Sequence, residues 1–159
     1  MRTAFISLVG RPNVGKSTLL NALIGKKVSI VSDKPQTTRT RVRGIVTTAD
    51  TQLVFVDTPG LHKATTALGE RVNATALESM RDVDVVCLVL DATQTVGTGD
   101  KWVSQQLDVS KAIVVLNKTD AVSWPRSWHN FRRLLRWELL STFQCLQKLV
   151  KGLKYCCRR

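Results

Sequence analysis

Eight residues, Gly10-Arg11-Pro12-Asn13-Val14-Gly15-Lys16-Ser17, leave this chain few ways to fold. They match the pattern G-x-x-x-x-G-K-[ST]. They follow a short apolar run, residues 3–9, and precede a helical pattern through Leu19, Leu20, Ala22, Leu23 and Ile24, with Gly25 as its C-cap. Glycines in such a loop let backbone N–H groups wrap phosphate oxygens, and the helix start adds positive potential. Lys16 can reach the β- and γ-phosphates, and Ser17 can offer a hydroxyl to Mg²⁺. A chance match in a glycine-containing turn is the plain alternative. The strand before and the helix after argue against it.

The rest of the chain extends the same theme as far as residue 120. Residues 28–40 contain Pro35 and read as a loop. Runs 41–48 and 52–57 are β-rich and separated by only three residues, which predicts an antiparallel hairpin. Residues 67–81 carry Leu68, Val72, Ala76 and Met80 at helical spacing. Residues 84–90 are continuously apolar, as a central parallel strand should be. A polar helix at 98–108 and a strand at 111–116 follow. Strands alternating with helices predict an α/β fold with a mostly parallel sheet and one antiparallel hairpin strand. No run of about 18 apolar residues is present, so no transmembrane helix is expected. Met1–Gly10 looks faintly like a leader peptide, but it lacks a cleavage site and runs straight into the glycine loop. It reads as a buried strand.

Two further motifs lie at strand ends. Asp57-Thr58-Pro59-Gly60 closes the second hairpin strand, where a carboxylate can hold Mg²⁺ through water and Gly60 can bring its amide against a γ-phosphate. Alone, it could be a plain strand exit. Asn117-Lys118-Thr119-Asp120 follows the last apolar run. The Asp120 carboxylate can accept from guanine N1–H and the 2-amino group, a donor pair that adenine lacks. Asn117 can bond the O6/N7 edge and brace the glycine loop, and the Lys118 stem can cover the base. Pro35-Gln36-Thr37-Thr38-Arg39 lies in the loop after the first helix. One of its threonines could close over Mg²⁺ and phosphate, or the hydroxyls could simply cap a turn.

Charge marks a boundary near residue 121. The net charge of the chain is +12. Residues 1–120 hold 15 Lys/Arg and 11 Asp/Glu, a net +4, whereas residues 121–159 hold 9 Lys/Arg and one acid, Glu138, a net +8. The second stretch also contains Trp124, Trp128 and Trp137, and Cys145, Cys156 and Cys157. With Cys87, the four cysteines fit neither a zinc site nor a disulfide framework, and read as free cytosolic thiols.

Together, GRPNVGKSTLLNALIGKKVSIVSDKPQTTRTRVRGIV, DTPG and NKTD resemble the Era family of bacterial GTPases, in the TrmE-Era-EngA group. The QTTR loop discriminates best. The resemblance covers residues 1 to about 121. It implies a P-loop NTPase G domain that binds GTP or GDP with Mg²⁺ and hydrolyses GTP. It further implies a monomeric cytoplasmic protein that acts in small-subunit ribosome assembly through 16S rRNA and can touch the inner face of the cell membrane.

Carried over, the phosphate loop is Gly10–Ser17, with Thr18 behind it. The first switch includes Gln36, Thr37 and Thr38, with Thr38 as the magnesium-sensing threonine. Asp57, Thr58, Pro59 and Gly60 form the second switch, and Asn117, Lys118 and Asp120 the guanine motif. The metal set is Ser17, Thr38 and Asp57, and the catalytic set Lys16, Thr38 and Gly60. Asn13 resembles a loop asparagine that helps coordinate an activating K⁺ in some relatives; otherwise it only shapes the loop. Leu61 stands where Ras-type proteins carry a water-orienting glutamine.

After Asp120 the resemblance stops. No Ser-Ala element and no G-x-x-G loop of an RNA-binding KH domain is found. The expectation is an incomplete G domain, 1–120, lacking its last strand and helix, followed by a basic Trp/Cys/Leu-rich tail, 121–159. The tail reads first as out-of-frame sequence. It also reads as a basic amphipathic helix for RNA or membrane, or as a substitute for the last helix. The competing functions are therefore a ribosome-assembly GTPase, a nucleotide-binding module whose tail contacts RNA or membrane, and a truncated product without function.

Overall fold

The computed structural model describes residues 1–30 and 42–122. Gln36, Thr37, Thr38 and nearly all of the 121–159 tail lie outside the described residues. Strands β1 (Arg2–Val9), β2 (Val42–Thr47), β3 (Thr51–Asp57), β4 (Val85–Asp91) and β5 (Ala112–Asn117) form one sheet. Its order is β2-β3-β1-β4-β5. β3, β1, β4 and β5 run parallel, and β2 alone is antiparallel, to β3. Among the described residues the sheet thus has the expected mostly parallel form, with the hairpin on one edge and β5 on the other.

Helices α1 (Lys16–Ile24), α2 (Ala67–Glu78) and α3 (Thr98–Ser104) cover the sheet. The period of two along the strands sorts the core into two layers. Ile6 and Leu8 of β1, Leu53 and Phe55 of β3 and Cys87 of β4 pack with Leu20, Leu23 and Ile24 of α1. Val86, Leu88 and Leu90 point to the other face, with Ala76 of α2 and Val103 of α3. β4 is therefore apolar on both sides, which accounts for its unbroken apolar run. Cys87 is buried, and burial pushes its thiol up to about 12, so it is chemically inert.

Three element readings change. In α2 the buried stripe is Gly69, Val72, Asn73 and Ala76, whereas Leu68 is 59% exposed. The helix starts at Ala67 as expected, capped by Thr66, whose hydroxyl accepts from the Gly69 amide, a cap worth about 1 kcal/mol. It ends at Glu78 rather than residue 81. The helix expected over 98–108 stops at Ser104. Asp108 explains part of this: its carboxylate accepts from the Ser110 amide and hydroxyl at 3.0 and 2.7 Å, a local turn that competes with helix. No helix among the described residues is long and apolar enough to cross a membrane.

Candidate nucleotide site

The parallel strands place their carboxyl ends on one side of the sheet, and the three motifs meet there. β1 ends into Gly10–Ser17, β3 into Asp57–Gly60, and β5 into Asn117–Asp120. This is where ligands bind in open α/β sheets.

Lys16 opens α1 and is only 6% exposed. Its ammonium donates to the carbonyls of Gly10 at 3.1 Å and Arg11 at 2.9 Å, so the loop wraps its own lysine. Burial lowers its pKa to about 8, with the Asp57 charge working in the opposite direction. An ammonium held by two neutral carbonyls in a dry loop is ready to exchange them for phosphate oxygens.

Asp57 is fully buried. Its Oδ2 accepts from the Ser17 hydroxyl at 2.6 Å and from Ser29 at 2.7 Å. Its Oδ1 is buried without a partner among the described residues. A dry carboxylate oxygen without a donor is costly unless a cation completes it. With the Ser17 hydroxyl adjacent, the oxygen donor set suits Mg²⁺. Ser17 and Asp57 would hold the ion, which would supply charge neutralisation to bound phosphates. Thr38, the third expected ligand, lies outside the described residues.

The rest of the DTPG turn is built for close approach. The Thr58 hydroxyl donates to the Leu8 carbonyl at 2.7 Å, tying β3 to β1. That hydroxyl therefore serves the sheet, although Thr58 was expected in the ligand set. A Cβ on Gly60 would sit 2.6 Å from the Pro12 nitrogen, so only glycine fits against the phosphate loop. The Leu61 amide donates to the Gly10 carbonyl at 3.1 Å. Leu61 itself is 0% exposed in the core, so its side chain orients no water. Its neighbour His62 is braced by Asn73 of α2, whose amide donates to the His62 carbonyl at 2.6 Å.

At the base end, Asn117 donates to the Val14 carbonyl at 2.9 Å. Lys118 donates to the Asn13 carbonyl at 2.9 Å and pairs with Asp91 of β4 at 2.7 Å. Burial pushes Asp91 upward, but hydrogen bonds from Lys118 and Thr93 outweigh it and hold its carboxyl below the usual range. Asn13 and Lys118 both have left-handed backbones, φ 64° and 57°. Gly15, φ 91°, has no room for a Cβ because Asn117 Nδ2 occupies that space. Asp120 is exposed, as a group that reads a ligand edge must be. The brace expected of Asn117 is therefore present, and Lys118 adds a second.

Sequence reasoning missed two participants. Ser29 had been read only as loop. Arg11 was expected only as part of the phosphate loop, and the motif does not encode its partner Asp100: its guanidinium pairs with Asp100 at 2.6 Å and donates to Gln94 at 3.1 Å. Asp100 in turn accepts from the Gly97 amide at 3.0 Å, so the phosphate loop is fastened to the start of α3. No short motif links residues 11 and 100, and only the fold brings them together.

Comparison with known proteins agrees with this geometry. Residues 5–118 match the family described as 50S ribosome-binding GTPase. GTPase Era of Nocardioides sp. is 52% identical over 125 residues, which is 77% of this chain and 40% of that protein. GTPase Era of Heliobacterium modesticaldum is 50% identical over 125 residues, 77% of this chain and 42% of that protein. The chain therefore spans about two fifths of the length of these curated relatives. Among solved structures, a point variant of Aquifex aeolicus Era bound to GDP·AlF₄⁻ superposes with TM-score 0.80 at 36% identity, over 86% of this chain and 48% of that one. Era in complex with MgGDPNP and nucleotides 1506–1542 of 16S ribosomal RNA superposes with TM-score 0.83 at 34% identity, over 90% of this chain and 50% of that one.

Proposed function

Because the chain belongs to the 50S ribosome-binding GTPase family and is of the Era type, we propose that its site binds GTP and GDP with Mg²⁺ and turns GTP over. The observation that carries this reading is the buried, unpartnered Asp57 Oδ1 beside the Ser17 hydroxyl, one strand away from the wrapped Lys16. Lys16 and the loop amides bind the phosphates, Ser17 and Asp57 hold the metal, and the Gly60 amide meets the γ-phosphate. Asp120 selects guanine by accepting from its two adjacent donors. Leu61 is sequestered, so another group aligns the attacking water.

Fluorescent GDP should bind with Mg²⁺ and be displaced by GTP but not by ATP. Lys16→Ala should abolish GTP hydrolysis, with a loss of about a hundredfold or more. Binding without turnover in the unsubstituted chain would instead identify a nucleotide-holding module. Asn13, left-handed at the tip of the phosphate loop, supports a further reading, that K⁺ speeds hydrolysis relative to Na⁺. Equal rates in the two salts would remove it. The Era relative solved with 16S rRNA supports an rRNA partner for this chain as well. Salt-sensitive binding to a small-subunit rRNA fragment is the corresponding measurement.

A further inference from the structure

The Asp57 carboxylate is gripped by one oxygen only. Oδ2 takes both hydroxyl donors, Ser17 at 2.6 Å and Ser29 at 2.7 Å, and Oδ1 takes none. Ser17 is also a metal ligand in the function proposed above, so its oxygen is shared with the ion. Ser29 has no such second duty. Its own position is fixed by Asn21 of α1. The Asn21 side-chain oxygen accepts from the Val28 and Ser29 amides at 2.9 Å each, and its NH₂ donates to the Ser29 carbonyl at 2.9 Å. Three hydrogen bonds from one side chain lock a two-residue stretch that has no secondary structure of its own. Ser29 is 2% exposed, so no solvent competes for its hydroxyl.

We propose that Ser29 is a positioning residue for the metal: Asn21 locks Ser29, and Ser29 holds Asp57 Oδ2 so that Oδ1 is left to the ion. Neither Asn21 nor Ser29 belongs to any of the three motifs. Partners behind a ligating carboxylate tune metal affinity by holding its orientation, and charge-assisted bonds of this kind are strong. The inference rests on the Mg²⁺-nucleotide reading of the site.

The test titrates Mg²⁺ against fluorescent GDP bound to the full chain, starting from EDTA. In Ser29→Ala the Mg²⁺ concentration for half-maximal effect should rise about tenfold, with GDP affinity in EDTA changed by less than about twofold. Asn21→Ala should raise it by about threefold, and should add nothing to Ser29→Ala, because both act on one contact. An unchanged midpoint in Ser29→Ala overturns the proposal. So does an equal loss of affinity in EDTA and in Mg²⁺, which would make Ser29 a simple structural prop. If Ser29→Ala does not fold, Asn21→Ala decides alone, and an unchanged midpoint there overturns it. An unsubstituted chain whose GDP binding ignores Mg²⁺ would overturn the metal site itself, and this inference with it.

Discussion

The two ends of the site are built differently. At the phosphate end, Lys16, Asp57, Ser29 and Thr58 are all buried; Lys16 follows the loop after β1, Asp57 and Thr58 close β3, and Ser29 bonds to Asp57 from the stretch after α1. At the base end, every residue of β5 is only half-buried, and Asp120 is exposed. The phosphate end is part of the core, so its geometry is set when the sheet forms. Among the described residues the base end is an arm on an edge strand, tied to the phosphate loop by Asn117 and Lys118 and to β4 by the Asp91 ion pair. Charge recognition needs a dry, preorganised cradle, whereas reading a base edge needs an accessible carboxylate.

This contrast can be broken most severely at the junction. Gly15→Ala puts a Cβ where Asn117 Nδ2 lies, on a backbone at φ 91°. It should lower nucleotide affinity on the order of a hundredfold and reduce thermal stability, because strain and a lost brace act together. Near-normal affinity would mean that the two ends are independent. Next in size, Asp120→Asn should weaken GDP about tenfold or more while leaving the Mg²⁺ midpoint unchanged. Competition with xanthosine diphosphate, whose C2 carbonyl suits an amide donor, should then improve. A changed Mg²⁺ midpoint would contradict the separation of the ends.

The smallest effect expected is at Asp91. Its folded pKa lies below the unfolded one, so its contribution is present above the unfolded value of about 4 and is lost as pH falls through the folded value. Asp91→Asn should lower the melting temperature near neutral pH by about 3 °C, the shift expected of roughly 1 kcal/mol in a domain of this size. The difference from the unsubstituted chain should shrink on acidification to about pH 3. A constant difference across that range would show that the ion pair does not anchor the arm.

The sequence made the phosphate loop legible because its chemistry imposes a fixed spacing on adjacent residues. The hairpin was equally plain, since three residues between β-rich runs allow little else. β4 was readable from its unbroken apolar run, which the two-sided core explains. What could not be read depended on distance. Ser29 meets Asp57 across 28 residues. Its one local signal was Asn21, whose side chain reaches only to the stretch following its own helix. Arg11 meets Asp100 across 89 residues, and no periodicity encodes that pair. In the α2 reading Val72 and Ala76 are buried and Met80 packs against the core as expected, whereas Leu68 was misread because it outweighed Gly69 and Asn73 by hydrophobicity. Asn73 is buried for the sake of its hydrogen bonds to His62, and Gly69 packs near Ala64 and His62.

The attachment of Ser29 and Val42 to the same residue has a consequence in chain statistics. The Ser29 hydroxyl bonds the Asp57 carboxylate, and Val42 pairs with Asp57 in the β2–β3 register. The chain leaves Asp57 at one of these points and returns to it at the other. The entropy of bringing those two points together is therefore spent when the sheet forms, before any nucleotide arrives. Releasing either point would reintroduce the whole closure term.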